Sequence, residues 1–77
     1  MARFFFDVIA DGDLAPDEEG MNLPNLDAAR REASRALAEI ARDAVRSDVP
    51  RMVISVRTEE GPVCEAVFGI YIKIASS

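Results

Sequence analysis

Only one stretch of this chain repeats its apolar residues at helical spacing, and that stretch has a single oily side. Between Leu26 and Arg46, the residues Leu26, Ala29, Ala33, Ala36, Leu37, Ile40 and Ala44 gather on one face at about 100° per residue. A helix with one apolar stripe needs a flat apolar partner, and the rest of the chain supplies candidates for one. The alanines favour the helix and let its axis come close to whatever it covers. Asn25 stands at the N-cap position, Pro24 precedes it, and Asp27 and Arg46 suit the two ends of the macrodipole.

The flanking segments read as strands. Residues 3–9 are aromatic and β-branched, with Phe4, Phe6 and Val8 facing one way and Phe5, Asp7 and Ile9 the other. Asp11-Gly12-Asp13 carries turn chemistry and leads by a longer connection to a short strand at 19–22. After the helix, Ser47-Asp48-Val49-Pro50 breaks the period. Residues 51–58 alternate Met52, Ile54 and Val56 against Val53, Ser55 and Arg57, and Glu59-Glu60-Gly61-Pro62 turns the chain. Residues 63–74 form a last strand whose even positions, Cys64, Ala66, Phe68, Ile70, Ile72 and Ile74, are all apolar. The expectation is a single α+β domain over residues 1–77. Its order is β-β-α-β-β: a four-stranded antiparallel sheet with one amphipathic helix, residues 26–46, packed on one face.

A chain of 77 residues buries only about 60–65% of its unfolded surface, so its core is near the minimum that folds alone. Cys64 is the only cysteine, so no internal disulfide reinforces that core, and an apolar setting makes it a packing residue. The quickly charged N-terminus does not resemble a signal peptide, and no apolar run reaches membrane-spanning length. The expected setting is the cytoplasm, without a membrane. The net charge of −5 sits mostly at the start, where Arg3 stands alone against Asp7, Asp11, Asp13, Asp17, Glu18 and Glu19. An acidic balance argues against a general nucleic-acid binder, which needs a cationic footprint.

Arg3-Phe4-Phe5-Phe6, Asp17-Glu18-Glu19-Gly20 and Leu23-Pro24-Asn25, leading into an Ala/Arg-rich helix, resemble a family of short bacterial proteins of unknown function. The likeness covers the first half, returns at Glu59-Glu60-Gly61 and Phe68, and stops at Gly69. Many members carry His where this chain has Asp7, so no role is carried over to that side chain. The resemblance implies no activity. A looser likeness, at the level of fold, is to HicB-type antitoxin domains, in which a β-hairpin runs into a Leu/Phe-Pro-Asp segment and an amphipathic helix.

No catalytic site, cofactor or small-molecule substrate is expected. Histidine is absent, no nucleophile has a base beside it, and no glycine-rich phosphate loop is present. The acidic stretch Asp11, Asp13, Asp17, Glu18 and Glu19 offers oxygen ligands, but Ala15 and Pro16 break the calcium-loop pattern, so no metal site is assigned. Arg31, Arg35, Arg42 and Arg46 lie within roughly 60° of one another on the helix. They form a stripe for RNA phosphates or an acidic protein, or a solvated face neutralised by neighbouring carboxylates. Opposite the helix, Phe5, Ile9, Val53, Val63, Val67 and Tyr71 share the second sheet face, which suits a partner. The leading expectation is an interaction or regulatory module that forms a homodimer or binds another protein through that face or the last strand. The alternative is an antitoxin-like or RNA-associated regulator using the arginine stripe.

Overall fold

Phe4, Phe6, Val8 and Ala10 lie on one side of β1 (Ala2–Ala10), as a two-residue pleat requires, and they build the first row of the core. The computed structural model describes residues 2–46, 51–70, 73 and 75. At the end of β1, Asp11 and Gly12 reverse the chain with φ of 52° and 85°. Two successive positive φ values are what a two-residue hairpin matching the strand twist demands, and Asp-Gly is a preferred pair for it. β2 (Asp13–Ala15) therefore follows at once, pairing Val8 with Ala15, Ile9 with Leu14 and Ala10 with Asp13. The connection from β1 to the strand expected at 19–22 is long, as read, but it holds a strand of its own: Asp11-Gly12 is the whole loop between β1 and β2.

β3 (Met21–Leu23) pairs with the start of β1, Ala2 with Leu23 and Phe4 with Met21, so the short strand expected at 19–22 begins two residues later. β2 and β3 act as one strand interrupted by residues 16–20, where Pro16 has no N–H to give a ladder. α1 (Leu26–Arg46) has the boundaries expected for it. The Asn25 side chain accepts a hydrogen bond from the Ala28 amide at 2.9 Å, closing the first turn. β4 (Arg51–Thr58) lies between β1 and β5 (Gly61–Gly69), with every pairing antiparallel. The order across the sheet is β2-β1-β4-β5, with β3 also on β1. The fold is thus α+β with one helix on an antiparallel sheet, as expected, but with five strands instead of four.

The expected last strand, 63–74, starts two residues early and stops at Gly69; residues 71, 72 and 74 lie outside the described residues. A register shift at Val56/Arg57 sets Cys64 opposite Val56 and Pro62 opposite Arg57, leaving Val63 at the bulge. The helix buries Ala29, Ala33 and Leu37 against Phe4, Met52, Ile54 and Val56, with Phe6, Val8, Cys64, Ala66 and Phe68 around them. Leu26, in the first turn, stays 43% exposed, while Ala41 is buried at the other end of the stripe. Small residues at the centre of the contact let the helix sit close to the sheet.

Candidate functional site

The face of the sheet turned away from α1 is organised in cross-strand rows. One row is apolar across four strands: Leu14 opposes Ile9, Ile9 opposes Val53, and Val53 opposes Val67. Val53 is enclosed by its neighbours, but Leu14 and Val67 at the ends are 60% and 50% exposed. Beside this row, Ile9, Asp11, Gly12, Arg51 and Val53 line a cleft of about 390 Å³. On the other side comes a polar row, Asp7–Ser55–Glu65, and then Phe5–Arg57–Pro62.

The polar rows hold a network absent from the sequence reading. Asp7, buried in the middle of β1, takes Arg57 Nε at 2.7 Å on Oδ2 and Arg57 Nη2 at 3.3 Å on Oδ1. The Asp17 amide also donates to Asp7 Oδ1, at 2.8 Å, while Arg57 Nη2 donates to the Asp17 carbonyl at 3.0 Å. Asp17 then caps the interruption between β2 and β3. Its Oδ2 accepts from the Phe6 amide at 3.1 Å, and its Oδ1 accepts from the amides of Glu19 and Gly20, both at 3.0 Å. Phe6 pairs with Val56 of β4 on one side, and on the β2–β3 side, where it has no strand partner, the Asp17 side chain takes that place and shapes the Asp17–Gly20 turn.

The electrostatics follow from those partners. The hydrogen-bonded Arg57 guanidinium holds Asp7 below the ordinary carboxylate range, against the opposing effect of burial. Burial alone would raise Asp17, but the Gly20, Phe6 and Glu19 amides together outweigh it and leave it lowered. Arg57 is correspondingly raised by its bond to Asp7. Both carboxylates stay ionised at neutral pH with their oxygens already engaged, so neither is poised for proton transfer.

Of the residues expected on the partner surface, Ile9, Val53 and Val67 fall in the apolar row. Phe5 lies on the same face with its ring beneath Arg57, 4.5 Å from guanidinium carbon to centroid. Val63 stands exposed at the bulge, and Tyr71 lies outside the described residues. Leu14 is not among the expected residues, because no strand is expected between Asp13 and Glu18. The Asp-Gly pair before it was the signal that a strand begins there.

On the helix, Arg31 pairs with Asp27, and Arg35 bridges Glu32 and Glu39 at 2.5 and 2.9 Å. The bonded Arg35 lowers Glu32 in turn. Arg42 is exposed, and the side chain of Arg46 lies outside the described residues. The acidic stretch is divided: Asp11 turns the hairpin, Asp13 enters β2, and Asp17 is taken up by backbone amides. Among the described residues, no three metal-ligating side chains converge. Nor is any helix among them long and apolar enough to cross a membrane.

Fold and face together define a small α+β domain, one helix over one side of an antiparallel sheet, with a polar clasp and an apolar row on the other. The chain belongs to the family described as a domain of unknown function (DUF6894), whose model matches residues 3–69. No curated protein and no solved structure matches the chain.

Proposed function

We propose that this domain is a non-catalytic interaction module of the cytoplasm that self-associates face to face, through the side of the sheet that the helix leaves uncovered. The observation that carries the reading is the Leu14–Ile9–Val53–Val67 row, an apolar band four strands wide with both ends open to solvent. Continuous apolar area of this kind, rimmed by polar residues, suits an interface better than it suits water. The clasp beside it supports the same reading. Asp7 and Arg57 already satisfy each other, so covering them removes little that water alone was providing.

A second reading, suggested by the fold-level likeness to HicB-type domains, is an RNA-associated regulator using the helix arginines. Pairing of Arg31 and Arg35 with carboxylates weakens the cationic footprint that reading needs. Light scattering at micromolar concentration separates the two. The self-association reading expects a dimer that Leu14→Asp or Val67→Glu converts to monomer with unchanged circular dichroism. A monomeric wild type, together with RNA retention that falls steeply with salt, would replace it by the second.

A further inference from the structure

The two borders of the sheet are unlike. β2 and β3 make one border in two short pieces, interrupted at Pro16 and Asp17, and short broken edges resist further pairing. β5 makes the other and, among the described residues, pairs on its β4 side only. Pro62 and the bulge guard its start, but from Cys64 to Gly69 the only charge is Glu65. Two bonds fix the backbone phase of this edge. The Phe6 amide turns away from β4 to Asp17, and the Arg51 carbonyl turns to the Asp11 amide on the β1 side. Val56, opposite Phe6, therefore aims its backbone groups at β5, as do Ile54 and Met52. Their partners Cys64, Ala66 and Phe68 aim back, which leaves the N–H and C=O groups of Glu65, Val67 and Gly69 pointing outward.

We propose that this edge pairs with the same edge of a second copy, antiparallel, with Val67 opposite Val67 of the partner subunit. A two-fold axis through the edge, perpendicular to the sheet, keeps both helices on one side of the joined sheet. The register is then set by which residue meets its own copy. Glu65 at the axis opposes like charges, and Ala66 at the axis sets Glu65 against Val67. Val67 at the axis joins the outward groups of Glu65 to those of Gly69 and sets Ala66 beside Phe68, small against large. Gly69 has no side chain, so Arg51 on β4 and Glu65 of the partner subunit face each other across it on the uncovered side. Their Cα atoms lie about 10 Å apart, two strand spacings, within the joint reach of the two side chains. Among the described residues, neither Arg51 nor Glu65 forms an ion pair within its own chain. On the helix side, Ala33, Ser34, Cys64 and Ala66 help line a cleft of about 230 Å³, and Phe68 of the partner subunit, opposite Ala66, is placed to enter it. This contact is separate from the face-to-face one and carries the apolar row on through Val67 into the second sheet. Two short strand segments bury less than the ~1,000 Å² of a stable specific interface, so the pairing belongs to millimolar concentration.

Amide hydrogen exchange tests it in the Leu14→Asp protein, whose uncovered face is spoiled, followed from micromolar to millimolar concentration. The Glu65, Val67 and Gly69 amides should slow by about threefold or more on concentration, while Ala66 and Phe68, already bonded to β4, stay unchanged. Arg51→Glu should remove that protection, and Arg51→Glu with Glu65→Arg should restore it. The register is read by oxidising a mixture of Ala66→Cys and Phe68→Cys proteins, both in a Cys64→Ser background. Those positions oppose each other at a Cα spacing of about 4.5 Å, which suits a disulfide, so the mixed dimer should exceed either homodimer by about fivefold. A dominant Ala66→Cys homodimer overturns the register. Edge amides that exchange equally fast at every concentration overturn the pairing itself, and leave the face-to-face reading standing if the wild type still dimerises.

Discussion

Asp17 ties two segments of this fold together, because three backbone amides, one from β1 and two from the turn before β3, converge on its two oxygens. Asp17→Ala leaves the Phe6 amide without its partner in a half-buried setting and releases the turn before β3. The expected loss is about 2–3 kcal/mol in a urea melt, and a loss under ~0.5 kcal/mol would contradict the role. The same residue gives a pH signature. Asp7 and Asp17 are both lowered in the folded state, so the unfolded chain holds their protons more tightly. Their stabilisation is complete above the ordinary value of about 4 and is lost as pH falls through the folded values. The urea midpoint should therefore hold level from neutral pH to about 5 and drop below about 4, with a shallower drop in Asp17→Asn. Equal slopes for the two proteins would count against the assignment. Gly20 completes the clasp: its φ is +76°, and an added Cβ would lie 2.9 Å from the Phe5 ring. Gly20→Ala should cost about 1–3 kcal/mol, since neither the backbone nor the ring under Arg57 yields freely. A wild-type melt for that variant would show that the turn relaxes.

At the scale of elements, the bounds of the helix were legible, because its period, its cap and its alanine stripe all point the same way, although Leu26 of that stripe stays exposed and Ala41, outside it, is buried. Asn25→Ala should cost about 1 kcal/mol through the lost Ala28 bond. Ala33→Leu should cost about 1–3 kcal/mol, because the helix is pressed on the sheet where that methyl sits at 2% exposure. Thermal melts of both variants check the ranking, and an Ala33→Leu protein as stable as wild type would mean a looser contact than described. Strand alternation was legible too: Phe4, Phe6, Met52, Ile54 and Val56 turned to the helix as the pleat predicts. β2 was not. Three residues, Asp-Leu-Ala, have no period of their own, and the charge around them outweighed the hairpin signal of Asp11-Gly12. The clasp was also invisible, because Asp7 and Arg57 are 50 residues apart and only the β1–β4 register brings them together. Asp17 is harder still to read, since a side chain standing in for a strand partner has no fixed spacing.

For the whole molecule, the consequence of one helix and one sheet is an unequal pair of faces. The helix side is closed by Ala29, Ala33 and Leu37, and the other side ends in an apolar row beside a self-satisfied ion pair. The face itself could be anticipated from alternation, but its outline could not, because Leu14 joins it only through the β1–β2 hairpin. Methyl NMR across a dilution series from millimolar to micromolar concentration tests the central claim most directly. The account predicts concentration-dependent shifts at Leu14, Ile9, Val53 and Val67, with Ile54 and Val56 on the helix side unmoved. Shifts confined to the helix side, or none at any concentration, would contradict it.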